Sequence, residues 1–139
     1  SAVAAAADIG AEDLNGLDYH ARWLRTGVGA NGRTLLASYI DPDAGDLGPG
    51  AGSTAILLVL AEDSATTFNT SYQHALVGEA RTVEFRRVLN YADLDGDGKS
   101  ELLLQAWRYA RVPSLVLLKH DGARWTEAFS VSEEWCTKR

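Results

Sequence analysis

From residue 17 onward the chain alternates. Tyr19, Ala21 and Trp23 are separated by Asp18, His20 and Arg22, the period of two expected of a strand with one face buried and the other wet. A Gly-punctuated turn over 26–32 (TGVGANG) leads to a second strand over 33–40. Residues 41–53 hold four Gly, two Pro and three Asp, which predicts a long exposed loop. The continuous apolar run 55–61 (AILLVLA) has the length of a central strand, and 66–76 alternates loosely and is rich in Thr, Tyr and Phe. A second series then runs in the same order. Strands are predicted over 82–91, 101–109, 114–120 and 124–131, with an acidic loop after the first and Asp121-Gly122 as a hairpin turn before the last.

The halves resemble each other. NGRTLLASYI (31–40) parallels DGKSELLLQAW (97–107), and AILLVLAEDSATTF (55–68) parallels SLVLLKHDGARW (114–125). Similarity at a fixed period marks a supersecondary unit used twice. The expected fold is therefore all-β and antiparallel, with about eight strands in two four-stranded repeats, arranged as a sandwich or a partial propeller with little helix. One β domain is expected over 17–131, made of a degenerate repeat (17–76) and an acidic-loop repeat (82–131). Tails are expected at 1–16 and 132–139.

Composition narrows the function classes. A chain of 139 residues with 46% hydrophobic positions suits one ordered domain. No apolar run approaches the ~18 residues that span a bilayer, so no membrane span is expected. The net charge is −6 with Lys and Arg scattered, which argues against nucleic acid, since phosphate binding draws on clustered cations. Cys136 is the one cysteine. It permits no intrachain disulfide and is read as an unpaired thiol or an intermolecular link. The opening SAVAAAA lacks the basic and long apolar segments of an intact signal peptide.

The chemistry concentrates in DLDGDGKSE (93–101), where four carboxylates fall within nine residues. Calcium takes roughly 6–8 oxygen ligands. Carboxylates at positions 1, 3 and 5 all turn inward when the chain curls, and Gly96 and Gly98 permit the curl. The expected ligands are Asp93, Asp95, Asp97, the Lys99 carbonyl and Glu101. The closing Glu of an EF-hand would stand at Leu104, which lies in an apolar strand, so this is not an EF-hand. An acidic turn without an ion would not require four mutually repelling carboxylates.

ADLDGDGKSELLL (92–104) resembles the FG-GAP/VCBS-type repeat of integrin-like β-propeller blades and many bacterial surface proteins. The likeness extends over 82–131, including HDGARW, and is poor over 17–76. It implies a loop joining the first two strands of a blade and binding calcium through the residues just named. In the first half TGVGANG stands where that loop would be, so a site there has lost its ligands. Two blades do not close a propeller, which has at least about four, so a sandwich, an open barrel or a part in a larger assembly or oligomer is expected.

Other candidates are weaker. Asp41, Asp43 and Asp46 offer a second cation loop, against the simpler reading of a solvated loop. His20, His74 and His120 show no metal spacing and are read as surface or strand-edge residues. Gly27, Gly29 and Gly32 match a dinucleotide pattern only as bare spacing. Trp23, Trp107, Tyr109, Trp125 and Trp135 offer an aromatic platform, with core packing the simpler reading for Trp107 and Trp125. Trp135, Trp107 and Tyr109 are the residues expected to meet a partner. No nucleophile–base pair is evident, so no catalytic residue is assigned. The expectation is a secreted, periplasmic or cell-surface module in which structural calcium supports binding or adhesion to a protein or glycan. A lectin-like domain using surface Trp and Tyr is the alternative, and a hydrolytic enzyme a distant third.

Overall fold

A computed structural model describes residues 18–40, 52–64, 67–79, 82–108 and 111–132. Eight strands follow in chain order: β1 (Asp18–Arg25), β2 (Arg33–Ile40), β3 (Gly52–Ser64), β4 (Thr67–Glu79), β5 (Phe85–Ala92), β6 (Glu101–Trp107), β7 (Ser114–His120) and β8 (Trp125–Ser132). They form two four-stranded antiparallel sheets, ordered β1-β2-β3-β4 and β5-β6-β7-β8. Each half of the sequence therefore supplies one meander. There is no helix among the described residues.

The sheets pack face to face on a shared core. Leu24, Val28, Leu36, Leu57, Val59 and Ala61 come from the first half; Leu102, Leu104, Ala106, Val116, Leu118 and Trp125 come from the second. Alternation explains the set. Leu102, Leu104 and Ala106 of β6 face inward, while Leu103, Gln105 and Trp107 between them are only partly buried. Each fully buried Leu or Val contributes roughly 1.5–3 kcal/mol. The run 55–59 is buried at every position, as its continuous apolarity predicts. A smaller cluster of Ala55, Val83 and Phe85, with Ile40 and Trp107 against it, closes one margin.

Several boundaries differ from the pattern-based ones. β3 begins at Gly52, inside the stretch expected to be loop, because Gly52 and Ser53 pair with Glu79 and Gly78 of a longer β4. β5 begins only at Phe85, and β6 ends at Trp107. Register shifts interrupt three ladders. Ser71 is the extra residue between Thr70 and Tyr72 in β4, and Ala128 the extra residue between Glu127 and Phe129 in β8. Leu89 is skipped in the same way in β5.

Candidate metal centre

The acidic loop, residues 93–100, joins β5 to β6. Its curl is held by its own carboxylates. Asp93 accepts from the Gly96 and Gly98 amides at 2.8 and 2.9 Å, Asp95 from Asp97 N at 3.1 Å, and Asp97 from Lys99 N at 2.8 Å. Glu101, buried at the start of β6, accepts from Leu94 N at 2.6 Å. Gly96 and Gly98 sit at φ 78° and 86°, left-handed values that only glycine adopts readily.

Three of the expected ligands converge. Asp93, Asp95 and Glu101 each present a carboxylate oxygen, and these oxygens lie within 4.8 Å of one another. That trio could hold a metal ion: it is a hard, all-oxygen donor set suited to calcium or magnesium rather than zinc. Asp97 stands outside the trio. One contributor was not legible in the sequence. Lys119 of β7 places its ammonium against Asp95 Oδ2. The hydrogen bond from Lys119, with a second from Asp97 N–H, holds the Asp95 carboxyl below the usual range, and the same contact raises Lys119. A cation held by this trio would have to share or displace that ammonium.

The loop is anchored from below and from the side. Trp125, 1% exposed, donates its indole N–H to the Ser100 carbonyl at 3.3 Å. His120 packs edge-on against Trp125 at 4.8 Å between ring centroids. His120, read as a surface or strand-edge residue, is the last residue of β7 and is buried. That packing takes it out of water and pushes its pKa down. Its Nδ1 accepts from Gly122 N at 3.1 Å. On the other side Ser100 N donates to Thr26 O at 2.7 Å. Thr26 is buried and its hydroxyl pairs with that of Thr34 at 2.7 Å while accepting from Val28 N. The turn 26–32, which holds the equivalent place in the first sheet, thus carries no carboxylate yet buttresses the loop that does. Nothing local in the sequence announces this contact.

The other candidates scatter. Trp107 stacks on Phe85 at 5.6 Å, beneath the Arg87 guanidinium. Trp23 is half-exposed, touching Phe68 and Arg33, and Arg33 in turn pairs with buried Glu62. Trp125 is core rather than platform. His74 is half-buried, and its Nε2 donates to the Glu84 carbonyl at 2.7 Å. Tyr109, Trp135, Cys136 and the loop with Asp41, Asp43 and Asp46 lie outside the described residues. Comparison with protein-family models, with curated proteins and with solved structures finds no match for this chain.

Proposed function

We propose that this chain is a calcium-stabilised, extracytoplasmic binding or adhesion module, not an enzyme. The observation that carries the reading is the convergence of Asp93, Asp95 and Glu101 in a loop already curled by its own amides. The calcium is structural. It would neutralise mutually repelling carboxylates between two strands and lock a loop that sits on the shared core through Trp125. Its binding free energy then adds to folding free energy. The likeness of 82–131 to FG-GAP/VCBS-type repeats supports both the metal and a surface location. Extracellular calcium modules work at dissociation constants of roughly 0.1–1 mM, within reach of a trio sharing one oxygen with a lysine.

Calorimetry with calcium chloride tests this directly. One site of sub-millimolar to millimolar affinity is expected, with a rise in melting temperature that EDTA reverses. At tenfold excess over the dissociation constant the stabilisation is about 1.4 kcal/mol. In Asp95→Ala that rise shrinks or vanishes. A folded protein with no calcium heat, or an Asp95→Ala variant with an unchanged calcium response, refutes the assignment.

A further inference from the structure

One opening in the described structure lies outside the acidic loop. A cavity of about 480 Å³ lies where β4 meets β8, the last strands of the two sheets. Ligand sites occupy roughly 300–1,000 Å³. Its lining mixes polar and apolar surface: Thr70, Ser71 and Gln73 come from β4, Arg124 directly precedes β8, and Thr126 and Glu127 stand near its start. Tyr72 and Trp125 form its apolar part, with the Tyr72 hydroxyl already engaged by Arg86 at 2.7 Å.

Two features mark this as a built site. Both bordering strands bulge there. Ser71 is the extra residue of β4, and Ala128, beside Glu127, is the extra residue of β8. Bulges re-aim side chains and end regular pairing, and they gather beside functional sites. Second, Ser71 is 4% exposed, and its hydroxyl has no hydrogen-bond partner among the described residues. A ligand hydroxyl in the cavity would supply that partner.

We propose that this cavity binds a neutral carbohydrate. Hydroxyls, an amide, a guanidinium and a carboxylate together both donate and accept, which suits sugar hydroxyls that do the same. Arg124 and Glu127 contribute one charge of each sign to the lining; Glu127 is paired with Arg86 at 3.6 Å and Arg86 in turn with Glu84 at 2.9 Å, so the surroundings favour neither an anion nor a cation. An apolar ligand would leave Ser71, Gln73 and Thr126 unpaired. An extended peptide adding to β4 or β8 would meet a bulge in either edge. The site lies apart from Trp107, and it connects to the acidic loop through Trp125, which lines the cavity and bonds Ser100.

The proposal rests on the binding-module reading but not on its calcium. The test is a glycan array probed with the labelled full chain in 1 mM calcium chloride, followed by calorimetry with the best neutral oligosaccharide. Ser71→Ala and Gln73→Ala are expected to weaken binding tenfold or more. Ser71→Ala should also melt close to the parent, because it removes no hydrogen bond among the described residues; Thr126→Val provides a third variant. No binding to any neutral glycan, binding only to charged glycans, binding that survives all three substitutions, or capture of extended peptides instead overturns the proposal. A calcium-dependent rise in melting temperature without glycan binding removes this site and leaves the metal reading intact. Glycan binding without a calcium response does the reverse.

Discussion

Gly27 and Gly96 form a matched pair with unequal surroundings. Both hold left-handed backbone, at φ 76° and 78°. A Cβ built on Gly96 meets nothing within 4 Å, whereas one built on Gly27 falls 2.0 Å from the Gly98 carbonyl oxygen. Gly96→Ala therefore carries only the left-handed strain of an L-residue, roughly 1–2 kcal/mol. Gly27→Ala carries the same strain and also forces the 26–32 turn away from the acidic loop. The obstacle is backbone, so no rotamer change relieves it. Separation sacrifices at least the Ser100–Thr26 bond, about 1 kcal/mol net, and loosens packing around Thr26 and Val28. The expected loss is about 3 kcal/mol or more, against about 1–2 for Gly96→Ala. Urea denaturation in EDTA measures both without metal, and a slope of roughly 1–3 kcal/mol per molar makes the difference an easily read midpoint shift. In calcium, Gly27→Ala should also weaken metal binding although 26–32 donates no ligand. Equal losses for the two variants, or an unchanged calcium affinity in Gly27→Ala, would show that the buttress between the two turns is not real.

Two further outcomes follow from buried polar groups. Thr26→Val conserves shape but strands the Thr34 hydroxyl and the Val28 amide; a loss of about 1–3 kcal/mol is expected in urea, and the double variant with Thr34→Val should be less destabilised than two independent losses would give. Burial, first, lowers the pKa of His74, so the unfolded chain binds its proton more readily than the folded one. His74 therefore contributes a stability fully present above the ordinary histidine pKa of about 6.5 and lost as pH falls from there toward the lower folded value. Stability measured in urea from pH 7.5 to 5 should decline in the parent and decline less in His74→Gln, whose amide can still donate to the Glu84 carbonyl.

The parts of this molecule that were readable in the sequence are those whose physics is local. Alternation at Tyr19, Ala21 and Trp23 marks a strand because each side chain's face is set by its parity. The unbroken apolar run at 55–61 marks a central strand because both of its faces are covered. The acidic loop is legible for the same reason: Asp93, Asp95 and Glu101 converge through the curl of nine consecutive residues. Where propensity was the guide, pairing overrode it. Gly52 and Ser53 are poor strand residues in a Gly/Pro-rich stretch, yet they extend β3 because Gly78 and Glu79 of β4 lie opposite them.

What escaped the sequence depends on register and on the packing of one sheet against the other. Lys119 reaches Asp95 from 24 positions away, and Thr26 meets Ser100 only because the sheets stack with equivalent turns side by side. The sequence leaves His120 a surface or strand-edge residue; that it is buried follows only from Trp125 packing against it. The cavity between β4 and β8 is the extreme case. Ser71 is one hydroxyl in a run of Asn, Thr, Ser and Tyr, and no composition or spacing distinguishes it from its neighbours. A single extra residue in the ladder sets it apart. Without that bulge every residue of β4 beyond Thr70 would shift by one position, Tyr72 and Gln73 would exchange faces, and the lining of the cavity would change together with the core beneath it. The acidic loop can therefore be carried by a short motif, whereas the cavity exists only if both meanders fold in their observed registers.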